Sequence, residues 1–438
     1  MPVVGRRASV TLAAALAVCL VAPLPVSPRA AADPCSVPTP GPSARSATPG
    51  FTVPKLPVLH LPIGRKPAAR TTPAEAAQTD AAVAPDTDAR VAAAPAAATA
   101  KVVDTIAGPA SSSYTRFGIS GADLGILWDN GYSGKQRQVL IAFGDTFGNC
   151  NVTDQEWRKN TLFRSGDQDL AGGMDVPDPV PGNQFAGSPV NADRPDFSRQ
   201  VIESLRLAGT EVTVIPTAGI SVGTRQYVNF MSVSRWGAPG QWSTNFSAVA
   251  VSDDNGETWT VPRSSIRPSW FNTVPGVQFV WGDQNFQMQA YLRRNGYVYA
   301  YGTGAGRGGM PFLSRVKETA VADRWAYEYY TPFGWLRNLP FLAVQVVWAP
   351  GSEMSVAYND YLKKYVMLYT NTVSNVVMRT ASKPEGPWSS AKTILTSASI
   401  PGGIYAPYIH PWSSGADLYF TLSRWSDYST MLMHTSLG

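Results

Sequence analysis

The sequence predicts an all-β fold, a five-bladed β-propeller with an Asp-box hairpin, preceded by a disordered Pro/Ala-rich segment. Three observations carry that prediction. Charged residues are few at 15%, while 38 Gly and 36 Pro supply turns throughout the 438 residues, a texture of short strands rather than helices. A unit of strand, polar hairpin, second strand and third strand recurs along the chain. One polar octapeptide, Ser252 to Trp259, has the composition of a tight hairpin turn.

Taken in order, residues 1–32 read as a signal peptide. Arg6 and Arg7 form a basic start, residues 10–22 are an apolar run too short to span a bilayer, and Ala30-Ala31-Ala32 offers a small-residue cleavage site. An uncleaved anchor, or a lipid anchor at Cys19, is the alternative. Cleavage removes Arg6, Arg7 and Arg29 and no acid, so the formal charge falls from +5 to +2. With no basic run left, the charge argues against nucleic acid as a partner. No membrane span remains after cleavage, and a secreted, periplasmic or envelope-associated monomer is expected. Residues 33–104 are rich in Pro, Ala, Thr and Ser and cannot bury enough apolar surface to offset chain entropy, so a disordered spacer is expected. Cys35 and Cys150 survive cleavage, either as one disulfide in an oxidising compartment or as two free thiols.

Residues 105–438 form the expected propeller. The first copy of the unit is a hairpin of residues 123–128 and 139–145 around a polar turn at 129–138. Strands at 215–222, 225–236 and 247–252 make the second. Those at 287–293, 297–303 and 312–316 make the third, and those at 353–358, 365–371 and 376–381 the fourth. The last comprises 405–411, 417–425 and 430–435. Five copies suggest five four-stranded blades; a jelly roll or a double sandwich is the competing arrangement. The octapeptide Ser252-Asp253-Asp254-Asn255-Gly256-Glu257-Thr258-Trp259 resembles the Asp-box of sialidase-like propellers, S-x-D-x-G-x-T-W. Its Ser and Asp would bond turn amides, Gly would take a positive φ, and Trp would pack inward, so Asp254 is structural.

In a propeller, inner strands start at the central channel and second strands end beside them. That rule gathers Asp123, Asp145, Arg235, Gln287, Glu353, Asn371, Tyr405 and Arg424 at one mouth. The Ser-Arg-Trp triplet at 234–236 and again at 423–425 supports the register. Asp123 and Asp145 close one end of one hairpin. Glycoside hydrolysis requires such a pair, one carboxylic acid to protonate the leaving oxygen and one carboxylate to attack or to activate water. The structural alternative is that Asp123 caps a turn and Asp145 bonds loop amides. Glu353 is a third acid, available as general acid, as substrate ligand or as partner of an arginine. Arg235 and Arg424 could tune a carboxylate or bind sugar hydroxyls, or serve as structural pairs. Gln287, Asn371, Tyr405, Trp425 and His410 complete the expected substrate contacts, with a structural role the alternative for His410. Trp128, Trp281, Trp348 and Trp425 are candidate walls for sugar stacking, against the alternative of packing between blades. Gly304-Ala305-Gly306-Arg307-Gly308-Gly309 matches a dinucleotide fingerprint, but Met310-Pro311-Phe312 does not open a helix, so a loop between strands is expected. No catalytic metal or cofactor is called for; a structural cation stays open.

The segments GADLG, FGDTFG, IPTAGISVG, RQYVNFMSV, SDDNGETW, EMSVAYN and YAPYIHPW, in this order, resemble the domain-of-unknown-function 4185 family. Its members include endo-D-arabinanases of glycoside hydrolase family 183. The resemblance covers residues 105–438. It implies a five-bladed propeller that cleaves internal α-D-arabinofuranosyl linkages of arabinogalactan and lipoarabinomannan in mycolate-bearing cell envelopes. It also implies that Asp123 in GADLG and Asp145 in FGDTF are the paired acids. The alternatives from the residues alone are a non-catalytic glycan-binding propeller and a protein-interaction propeller at the cell surface.

Overall fold

The computed structural model describes Cys35 and residues 100–437, so the expected signal segment and almost all of the expected spacer lie outside the described residues. The first strand, β1 (Lys101–Ala107), does not pair with the strand that follows it. Blade I is β2 (Gly121–Asp129), β3 (Val139–Phe147) and β4 (Thr161–Ser165), followed by a small hairpin of β5 (Val190–Asn191) and β6 (Arg194–Ser198). Blade II is β7 (Thr213–Val222), β8 (Arg225–Trp236), β9 (Trp242–Ser252) and β10 (Arg267–Pro268). Blade III is β11 (Met288–Arg294), β12 (Tyr297–Thr303), β13 (Phe312–Lys317), β14 (Glu328–Thr331) and β15 (Gly334–Arg337). Blade IV is β16 (Ser355–Asn359), β17 (Lys364–Thr370), β18 (Val376–Ala381) and β19 (Lys392–Leu395). Blade V is β20 (Ile404–Ile409), β21 (Asp417–Arg424) and β22 (Ser429–Ser436), and β1 is its fourth strand.

The five repeats fall on the five blades, each an antiparallel meander read from the inside outwards. Two details differ from four strands per blade. In blade I the place of a fourth strand is taken by irregular chain: Gly187 accepts the Arg164 backbone N–H at 2.8 Å and the Ser188 hydroxyl bonds the Leu162 carbonyl. In blade III the hairpin of β14 and β15 is added at the outer edge, joined to β13 through Ser314 and Arg315. Closure also differs. Because β1 pairs with β22 from Lys101 opposite His434 to Ala107 opposite Thr430, the propeller begins four residues before the expected boundary at 105. The two ends of the propeller segment thus complete one sheet, with β22 paired on both sides and β1 as the outer strand of blade V.

Alternating side chains fill the space between blades with apolar groups, among them Phe143, Phe163, Phe230, Phe246 and Leu432, all fully buried. The octapeptide forms the expected turn after β9. Ser252 Oγ bonds Asp254 Oδ1 at 2.7 Å, Asp254 accepts the Thr258 backbone N–H at 2.8 Å, and Gly256 has φ of 82°. Trp259 packs against the core, and hydrogen bonds to Thr258 and Ser252 hold the Asp254 carboxyl below its usual range despite partial burial. Asp254 therefore builds the turn. Cys35 and Cys150 form a disulfide that ties the chain ahead of the propeller to the loop after β3.

Strand direction defines two faces. The inner strands β2, β7, β11, β16 and β20 all start at one, the mouth. Below it the channel is lined by Leu124, Ile126, Ile215, Met288, Met354 and Tyr408, an apolar floor beneath a polar rim.

Candidate active site

The regular ladder between β2 and β3 breaks where the acids stand. Ala122 pairs with Thr146 and Leu124 with Phe143, so Asp123 faces the two-residue step Gly144-Asp145. A second irregularity follows at once, with Leu124 at φ 69° and Gly125 at φ 70°. Such bulges re-aim side chains, and a leucine in the left-handed region is costly enough to need surrounding support. Part of that support is Ser423 of blade V, whose hydroxyl accepts the Leu124 backbone N–H at 2.8 Å. Gly144 is glycine because of a close approach: a Cβ there would stand 2.4 Å from Asp123 Oδ1. The same bending recurs around the mouth, with Ala406 at φ 50° in β20 and Glu353 at φ 51° ahead of β16.

Two half-buried carboxyls thus share one mouth. Burial pushes the Asp123 carboxyl well above its usual range, and repulsion from Asp145 adds to this; a hydrogen bond from Tyr405 and the charge of Arg307 oppose it. Tyr405 Oη donates to Asp123 Oδ2 at 3.0 Å, whereas Oδ1 is buried against Gly144 with no hydrogen-bond partner. Asp145 is raised by burial to about 6, and the Thr213 and Trp157 bonds and the Lys159 charge restrain the rise. Both bonds fall on one oxygen: Thr213 Oγ1 and Trp157 Nε1 donate to Asp145 Oδ1 at 2.8 and 3.1 Å. The other oxygen is left for a substrate or a water. Desolvation is the largest cause of both shifts, and the Asp145 charge adds to that of Asp123.

Glu353 reaches this mouth as the partner of Arg307, which grips it through Nε at 2.6 Å and Nη2 at 3.3 Å. Burial opposes the Arg307 charge, but Glu353 holds its pKa above the usual arginine value. The guanidinium lies 4.3 Å from the centre of the Tyr405 ring, so Glu353, Arg307, Tyr405 and Asp123 form one connected network. Trp425 packs against Tyr405 at 6.0 Å between ring centres and is half-buried beside it.

The other sequence-derived candidates part from this group. Gln287 is 1% exposed; its amide is used by Thr244 and by the carbonyls of Arg267 and Asp283, so it braces the start of β11. Asn371 lies at the mouth end of β17, but its side-chain oxygen accepts the backbone N–H groups of Val373 and Asn375 and closes its own turn. Arg424 is likewise held within its turn, on both oxygens of Asp427. Arg235 stands exposed at the mouth end of β8 and, among the described residues, makes no ion pair. His410 follows the far end of β20 and so belongs to the opposite face, where burial lowers its pKa to about 3. Trp128 is also at that end, 2% exposed, with Nε1 bonded to Gln226, and walls no mouth subsite. Among the described residues no three His, Cys, Asp or Glu side chains stand together as a metal group.

Sequence reasoning passed over four residues of the site. Thr213 opens β7 and was reachable by the inner-strand rule. Trp157 and Lys159 lie in the connection from β3 to β4, for which the repeat gives no register. Arg307 is in the Gly-rich loop after β12, correctly read as a loop but not as one that bends back to the mouth.

Comparison with known proteins places these elements in context. Notoamide biosynthesis cluster protein J from Aspergillus sp. (strain MF297-2) is 27% identical over 337 residues, spanning 73% of this chain and 84% of that protein. The catalytic domain of the Coprinopsis cinerea GH62 α-L-arabinofuranosidase aligns with a TM-score of 0.43 at 11% identity, over 78% of this chain and 98% of its own. A GH43_1 enzyme from Xanthomonas citri aligns at 0.41 and 10%, over 77% and 91%. The family model "Domain of unknown function (DUF4185)" matches residues 109–434, which takes in both acids and β2 to β21 with most of β22, but not the closing strand β1. By that match, the chain belongs to the DUF4185 family.

Proposed function

We propose that this protein is a secreted glycoside hydrolase, an endo-acting D-arabinanase that cleaves internal α-D-arabinofuranosyl linkages of cell-envelope arabinogalactan and lipoarabinomannan. The observation that carries the hydrolase reading is the acid pair, two carboxyls at one mouth whose surroundings push both pKa values upward. The substrate rests on the motif resemblance set out above. The Cys35–Cys150 disulfide supports export to an oxidising compartment.

In this reading Asp123, whose Oδ1 is buried without a hydrogen-bond partner and whose pKa is raised by burial and by the Asp145 charge, keeps its proton and acts as general acid toward the leaving oxygen. The Tyr405 hydroxyl on Oδ2 fixes the carboxyl's orientation. Asp145, ionised above about pH 6 and fixed by Thr213 and Trp157, is the carboxylate that attacks the anomeric carbon or activates water. Arg307 and Glu353 are positioning residues: together they hold the Tyr405 ring and set the field at Asp123. The test is incubation of the mature domain with purified D-arabinan and sizing of the products. Release of oligosaccharides that is lost in both Asp123→Asn and Asp145→Asn is expected. Release that persists in both variants contradicts the assignment, binding without release indicates a lectin, and monosaccharide alone contradicts the endo mode.

A further inference from the structure

Among the described residues, five tryptophans are more than a third exposed: Trp157, Trp236, Trp270, Trp281 and Trp348. Every one lies at the mouth face. Trp157 is in the connection from β3 to β4, Trp236 ends β8, and Trp270 and Trp281 lie between β10 and β11. Trp348 precedes β16 in a segment whose Val346 and Gly351 N–H groups bond the carbonyls of Pro311 and Gly309 at the mouth end of β13. By contrast Trp128, at the opposite face, is fully packed. Rings of this size left in water on one face mark a surface that a partner covers.

The rings also connect to the acids. Trp236 packs on Trp242 with ring centres 5.8 Å apart. The Arg307 guanidinium lies 5.9 Å from the Trp242 ring and 4.3 Å from the Tyr405 ring, and Tyr405 bonds Asp123. Ser269, just before Trp270, is bonded to Thr244 and Asn245 of the strand that Trp242 opens, and Trp270 and Trp281 pack at 5.3 Å. Tyr405, Arg307, Trp242 and Trp236 thus lead from Asp123 onto the mouth end of blade II, and Trp270 and Trp281 stand beyond them, after the end of β10.

We propose that Trp236, Trp270 and Trp281 are a sugar-stacking platform that binds the polymer chain beyond the cleavage point. The occupant is a glycan chain. The patch is made of rings, whose faces suit the C–H side of a sugar, and its Trp236 end is joined through Trp242, Arg307 and Tyr405 to Asp123. The proposal rests on the glycosidase reading and deepens it, since a chain held along these rings is cut within its length.

The test measures binding without turnover. The mature domain carrying Asp145→Asn is compared with the same protein also carrying Trp236→Ala, Trp270→Ala and Trp281→Ala, by retardation in native gels containing D-arabinan. A second comparison replaces the three tryptophans with Phe, and thermal melts check folding. The platform predicts about tenfold weaker retention for the Ala variant and retention within about threefold for the Phe variant. Equal retention of the Ala variant and its parent overturns the proposal, as does a parent that D-arabinan does not retard. Failure of the hydrolase reading shows separately, as absence of product from the protein with both acids intact.

Discussion

A buried carboxyl is held at the mouth against its own preference for water, and that sets measurable signs. In the unfolded chain Asp145 titrates at its usual value of 3.8, and in the fold at about 6. Below both values it is neutral in either state and burial of the group is not penalised. As pH rises between them the unfolded chain ionises first, so stability falls across this window and remains lower above it. Asp145→Asn is therefore expected to melt a few degrees above the parent at pH 8 and level with it at pH 3.5, as read by calorimetry. Activity has the opposite dependence, with kcat/KM rising with pH through about 6 as the base ionises. Gly144 is the other residue whose role is purely local. Its Cβ would meet Asp123 Oδ1 at 2.4 Å, so Gly144→Ala should cost more than tenfold in activity while the circular dichroism spectrum stays that of the parent.

The elements that build the site are interrupted strands and a bent loop, and this decides what was legible in the sequence. The inner-strand rule placed Asp123, Asp145, Glu353 and Tyr405 correctly because it needs only strand ends. It placed Gln287 by the same logic and misjudged its direction: the chain ahead of β11 turns the amide inward to Thr244, Arg267 and Asp283. His410 was expected among the substrate contacts, with a structural role as the alternative, and the structure favours the alternative: it follows the far end of β20 and is buried at the opposite face. Bulges such as the one at Asp123, and a return loop such as the one carrying Arg307, leave no periodic trace to read. The loop's contribution can be isolated. Arg307→Lys keeps the charge but loses the fork on Glu353, and should lower activity with little change in melting temperature. Arg307→Met strands Glu353 without its cation and should also destabilise the fold, by about 1 kcal/mol in a denaturant titration, since the pair is only half-buried.

Across the whole molecule, five repeats predicted five blades because each blade repeats the same turn chemistry and strand lengths. The closing strand escaped that reading, since Lys101 to Ala107 follows Ala-rich chain and has no hairpin partner in sequence; its partner β22 lies at the other end of the chain. Deleting residues 101–107 should expose the edge of β22 and replace a single cooperative melt with aggregation on heating, while leaving every mouth residue in the chain. In the proposed mechanism the mouth divides the labour between two acids, Asp123 giving the proton and Asp145 attacking or activating water. This division is tested most directly by comparing variants on D-arabinan and on an aryl α-D-arabinofuranoside whose leaving group needs no protonation. The proposed roles predict that Asp123→Asn loses the polymer reaction and keeps much of the aryl reaction, whereas Asp145→Asn loses both. The reverse pattern would contradict them.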